Sequence, residues 1–114
     1  MIYGEKFLNL NEGFGGQSAE INKELDGIYK EGKELVQAEQ KVSAEAFKAG
    51  NYSKVKTSCN KIISICEKYI KKLNAVNSTQ MNGIGRAKRN KYVNYFTYMM
   101  DDAKVAIEEA NKKK

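Results

Sequence analysis

The sequence predicts an all-α fold: an antiparallel three-helix bundle with coiled-coil-like packing and an irregular N-terminal arm. Three observations point there. The 114 residues contain no Pro, so the strongest helix breaker is missing throughout. Apolar residues recur at alternating intervals of four and three over long stretches, the period of one helix face. Glycine and asparagine cluster at two interior points, where such stretches would be joined. One domain is expected at this length, with hydrophobic residues at 41% and charged residues at 30%, enough apolar side chains to form a core.

Residues 1–17 are read as the arm. Ile2, Tyr3, Phe7, Leu8, Leu10 and Phe14 are apolar, but Asn and Gly interrupt them. The glycines around Phe14 read as a flexible joint, not a phosphate loop, because no Lys-Ser/Thr follows them. The arm would cover an open end of the core or reach a partner chain.

Residues 18–114 are read as one bundle, with helices at about 18–49, 51–76 and 86–111. Ser18 is placed as the cap of the first, with Glu20 and Glu24 in its first turns. Ile21, Ile28, Leu35, Val42 and Ala49 recur every seven positions and are taken as its main seam. Leu25, Gly32, Glu39 and Ala46 form a weaker companion, with a bend possible between Gly27 and Gly32. Gly50 suits a left-handed helix end and Asn51 a cap for the next helix. The second helix carries the clearest stripe: Val55, Cys59, Ile62, Cys66, Tyr69, Leu73 and Val76. Residues 74–85 read as a connection, with Ser78 capping an extra turn before Gly83 and Gly85 interrupt it. The third seam is Tyr92, Phe96, Met99, Ala103, Ala106 and Ala110. Its taper from bulky to small side chains predicts close packing at the C-terminal end of that helix.

The net charge of +6 is unevenly distributed. Residues 1–50 sum to −3, residues 51–100 to +9 and residues 101–114 to zero. Lys54, Lys61, Lys68, Lys72, Arg86, Lys88, Arg89 and Lys91 are therefore the candidate partner-binding residues, a basic face on the second and third helices. An acidic partner protein is the expected ligand. Nucleic acid is the alternative, since Tyr92 and Tyr95 follow the cations of 86–91 closely. The opposing possibility is internal: Glu24, Glu31, Glu34 and Glu45 of the first helix could neutralise the same cations. A third possibility is a self-associating structural protein, a homodimer joined along Ile21, Ile28, Leu35 and Val42.

Catalysis is not expected. There is no His, which removes Ser-His and Cys-His nucleophiles and the His-containing metal sites. Cys59 and Cys66 lie on the core stripe and read as small buried hydrophobes. No metal, cofactor or catalytic set is assigned, and a slender bundle is expected to leave no cleft. With no apolar run of membrane length and no leader pattern, a cytoplasmic location is expected.

Two short segments resemble known families. "EAFKAGNYSKVKTSCNKIISI" at 45–65 resembles the inner turn of a tetratricopeptide repeat, with Gly50, Tyr52, Val55, Cys59 and Ile62 at the matching places. It departs in having Val55 for the usual Ala and no second copy. That resemblance implies a helical protein-interaction surface. The size, the hairpin and the Tyr98–Asp102 spacing are similar to small secreted proteins of the WXG type, although the turn "AGNY" lacks their Trp.

Overall fold

A computed structural model describes residues 15–76 and 81–113 of the chain. Three helices run through them: α1 (Gly15–Lys48), α2 (Tyr52–Ala75) and α3 (Gly83–Lys113). Paired residues fix their directions. Glu31 meets Lys72 while Phe47 meets Tyr52, so α1 and α2 are antiparallel. Tyr69 meets Phe96 while Lys56 meets Asn111, so α2 and α3 are antiparallel as well. The result is an up-down-up all-α bundle, as the spacing of the apolar residues predicts. Packing is not symmetric, however. α2 is the central helix, and α1 and α3 touch each other least.

The α1–α2 turn forms as its residues dictate. Gly50 has φ +74, where a Cβ would be strained. Its N–H donates to the Phe47 carbonyl and that of Asn51 to the Ala46 carbonyl, the paired bonds that close a helix C-terminus. Asn51 then accepts from the Lys54 N–H at 3.1 Å, capping α2.

The other helix starts differ from expectation. α1 begins at Gly15, so Ser18 lies inside it and no acidic residue occupies its first turn. α1 also runs through Gly27 and Gly32 without interruption. At α3, Asn82 is the cap: its side chain accepts from the Gly85 N–H at 2.8 Å and its carbonyl from the Arg86 N–H. Gly83 and Gly85 are thus the first turn of α3 and do not break it. The extra turn at Ser78 and the arm up to Phe14 lie outside the described residues.

The whole α2 stripe is buried, from Val55 through Val76. On α3, Phe96, Ala103 and Ala110 are buried and Tyr92, Met99 and Ala106 half-buried, as the seam requires. α1 needs correction. Ile21 is buried, but Leu35 is 44% exposed and Ala49 lies outside the helix. Leu25, Gly32, Val36 and Ala46 are the buried positions instead. Counting by sevens drifts about 20° per step on a straight helix, so Leu35 and Val42 rotate off the buried face. The seam that looked weaker is the true one. Its polar members are satisfied. Ser58 Oγ on α2 lies 2.8 Å from both the Glu39 carbonyl and Glu39 Oε1, and its one proton can go to either. Ser43 Oγ lies 3.5 Å from Cys59 Sγ.

A cluster of aromatic rings ties the three helices together near the middle of α1 and α3. Tyr29 of α1 stacks on Tyr92 of α3, with centroids 4.0 Å apart and planes 6° from parallel. Tyr95 and Phe96 meet Tyr29 edge-on, and Tyr69 joins from α2. The Tyr92 hydroxyl donates to Asp26 at 2.6 Å. Burial and that carboxylate push the Tyr92 phenol up to about 12.

Candidate functional site

The eight cations singled out from sequence do not form one continuous face. Lys54, Lys61 and Lys68 repeat every seven residues along α2 and are exposed. Lys72 extends that row but pairs with Glu31 of α1 at 3.8 Å, and its ammonium sits 5.0 Å from the centre of the Tyr69 ring. Lys68 covers the same ring at 5.7 Å. On α3, Lys88 turns to α1 and reaches Asp26 at 3.1 Å. At about 100° per residue, Arg89 points a quarter-turn away from Lys88. Arg86 and Lys91 are exposed and Arg89 is half-buried. Of the acids named for the internal reading, Glu31 alone pairs with one of these cations among the described residues, Lys72, while Lys88 takes Asp26, which that reading did not include.

The Asp26 group has a pH signature. Burial raises its carboxyl, but hydrogen bonds from Tyr92 and Lys88 outweigh that and hold the pKa below the ordinary carboxylate value. A lowered folded pKa stabilises the fold above the unfolded pKa and loses that increment as pH falls through the folded one. Urea unfolding should show Asp26→Asn less stable than the parent at pH 6, by no more than about 1 kcal/mol for so exposed a pair. The gap should narrow as pH falls below the ordinary carboxylate range and vanish once Asp26 is protonated in the folded state. A gap that does not shrink as the pH is lowered would refute the assignment.

Beside Lys61 the surface dips into an open hollow lined by Glu39, Thr57, Asn60, Lys61, Ser64 and Ile65. It sets the hydroxyls of Thr57 and Ser64 and the amide of Asn60 beside the Lys61 ammonium, which has no ion pair among the described residues, with the Glu39 carboxylate on the rim. Glu39 is drawn inward by Ser58.

A second depression was not legible in the sequence. Where α1 and α3 part, a cavity of about 300 Å³ opens, floored by Val55, Cys59 and Ile62 of α2. Its walls are Gln40, Ser43, Ala44 and Phe47 on one side and Met99, Asp102, Ala103 and Ala106 on the other. The expectation of no cleft fails here, and the predicted taper is reversed against α1. The bulky end of α3 meets Tyr29 closely, while its alanines line the gap. Gln40 Nε2 to Met99 Sδ at 3.2 Å bridges it. The small residues Ala44, Ala103 and Ala106 are the signal in the sequence, but only the separation of α1 from α3 turns them into a cavity.

Cys59 and Cys66 are buried free thiols, and burial pushes Cys66 up to about 11. Both behave as core residues. Among the described residues no cluster of three potential metal ligands occurs, and no helix is long and apolar enough to cross a membrane. Comparison with family models, curated proteins and solved structures finds no match.

Proposed function

We propose that this chain is a small non-enzymatic interaction protein that binds an acidic segment of a partner protein along α2. The observation that carries this is the exposed row Lys54, Lys61 and Lys68, with the hydroxyl- and amide-lined hollow beside Lys61. Arg86 and Arg89 add cations where α3 begins. Charges so placed steer a counter-charged partner and set its register more than they raise raw affinity. The proposed location is the cytoplasm, in keeping with two unpaired thiols.

The test uses a labelled glutamate-rich peptide and, in parallel, a labelled oligonucleotide. Wild-type protein should retain the peptide at ~50 mM salt and release it progressively as salt screens the contacts. The combined variant Lys54→Glu, Lys61→Glu and Lys68→Glu should bind at least about tenfold more weakly, a loss of ~1.4 kcal/mol or more. Its circular dichroism should not change, because all three side chains are exposed. Retention of the oligonucleotide alone, with a steep log–log dependence on salt, would transfer the row to nucleic acid. Retention of neither probe would end both readings.

A further inference from the structure

Five large apolar side chains stand exposed among the described residues, and three of them lie on α3: Ile84 at 45%, Tyr98 at 67% and Val105 at 55%. Their positions are separated by fourteen and seven residues, and Lys91 and Lys112 complete the same series. The stripe runs along α3 about 100–160° round from its buried positions Gly85, Phe96 and Ala103. It is a second amphipathic edge, with nothing of this chain upon it among the described residues.

Charge along α3 is sorted as well. Its first half holds Arg86, Lys88, Arg89 and Lys91 and no acid. All its acids, Asp101, Asp102, Glu108 and Glu109, lie in the second half, where Lys104, Lys112 and Lys113 leave the net charge near zero.

We infer that α3 is a homodimer interface, pairing antiparallel with α3 of a second copy about a two-fold axis at Tyr98. A two-fold pairing must match one surface to itself. With Tyr98 on the axis, Lys91 lies opposite Val105 of the other copy, and the left-handed supercoil that a strict seven-residue spacing imposes brings Ile84 opposite Lys112. Each lysine lays its alkyl stem on an apolar partner. The Lys91 ammonium then falls between Asp102 and Glu109 of the second copy, one turn to either side of Val105, where it shares Glu109 with Lys112 of that copy, 3.8 Å away. Parallel pairing would instead set Lys91 against Lys91 and Lys112 against Lys112 on the seam, so the charges select the antiparallel order. This relocates self-association from α1, whose Ile21 is buried and whose Ile28 packs against the core. It is independent of the α2 lysine row, which stays open in the dimer, and it assigns Lys91 to the dimer seam.

Sedimentation equilibrium of the full chain tests the idea. A monomer–dimer equilibrium is expected, and Tyr98→Glu should raise its dissociation constant by roughly 100-fold or more while leaving helicity intact. Lys91→Glu and Glu109→Lys should each weaken the dimer at least about tenfold, and mixing the two variants should restore it, because each now meets its complement. Orientation is read by oxidation. Chains carrying Lys91→Cys should cross-link to chains carrying Val105→Cys, and neither to itself, while Cys59 and Cys66 stay out of reach in the core. A strict monomer at ~0.5 mM would overturn the inference, since no measurable affinity would remain. So would a dimer indifferent to Tyr98→Glu, or Val105→Cys chains that cross-link among themselves.

Discussion

Phe96→Ala is expected to destabilise the protein by about 3–5 kcal/mol, the range for emptying a fully buried aromatic site. Phe96 has no exposed surface. Its ring lies 5.9 Å from that of Tyr69 on α2, 6.1 Å from Tyr29 on α1 and 5.1 Å from Tyr95. One side chain thus joins all three helices near the middle of α1 and α3, where these two helices meet. A total stability of only about 5–15 kcal/mol is usual for a domain, so this change removes a large fraction. The neighbouring Tyr29–Tyr92 stack should loosen with it. Chemical denaturation checks the magnitude, and a loss below about 1 kcal/mol would mean that the ring is not the joint described.

Gly32→Ala should also destabilise, by about 1–3 kcal/mol, although alanine is the better helix former by nearly 1 kcal/mol. A Cβ at Gly32 would stand 2.6 Å from Phe96 Cζ, 2.8 Å from Tyr69 Cγ and 2.9 Å from Phe96 Cε1. Those atoms belong to two rings that already pack on each other, so neither can retreat freely. Gly27 supplies the control. It lies on the same helix, and a Cβ there would meet nothing within 4 Å, so Gly27→Ala should stabilise by about 0.5–1 kcal/mol. Opposite signs for two identical substitutions five residues apart separate packing from propensity. Equal signs would reject the close approach at Gly32.

These glycines show what sequence reasoning could and could not reach. The α2 stripe is legible residue for residue because strongly apolar side chains keep the 4–3 rhythm and lysines fill the other side. The α1–α2 turn is legible because Gly50 and Asn51 each have a local conformational reason to be there. The α1 seam is misread because three of its members do not look like core. Gly32 is there to make room for Phe96 and Tyr69, Glu39 to meet Ser58, and Ser43 to meet Cys59. Each is explained only by a residue on another helix. The basic residues are identifiable as a set, but their division among α1-facing and outward positions depends on how the helices are rotated in the bundle. The exposed α3 stripe hides for a different reason: two of its five places are lysine.

The arrangement around α2 has a kinetic consequence. Each of the two extensive helix contacts joins neighbours in the chain, and the α1–α2 turn spans only Ala49 to Asn51. Most native contacts can therefore form by closing short loops, and the encounter of α1 with α3, the one distant pairing, has least to contribute. Either hairpin can zip first, with α2 serving as the template in both routes. The barrier is then expected to be set mainly by ordering α2 against one neighbour, with the Tyr29–Tyr92 stack expected to form late and latch a bundle already assembled.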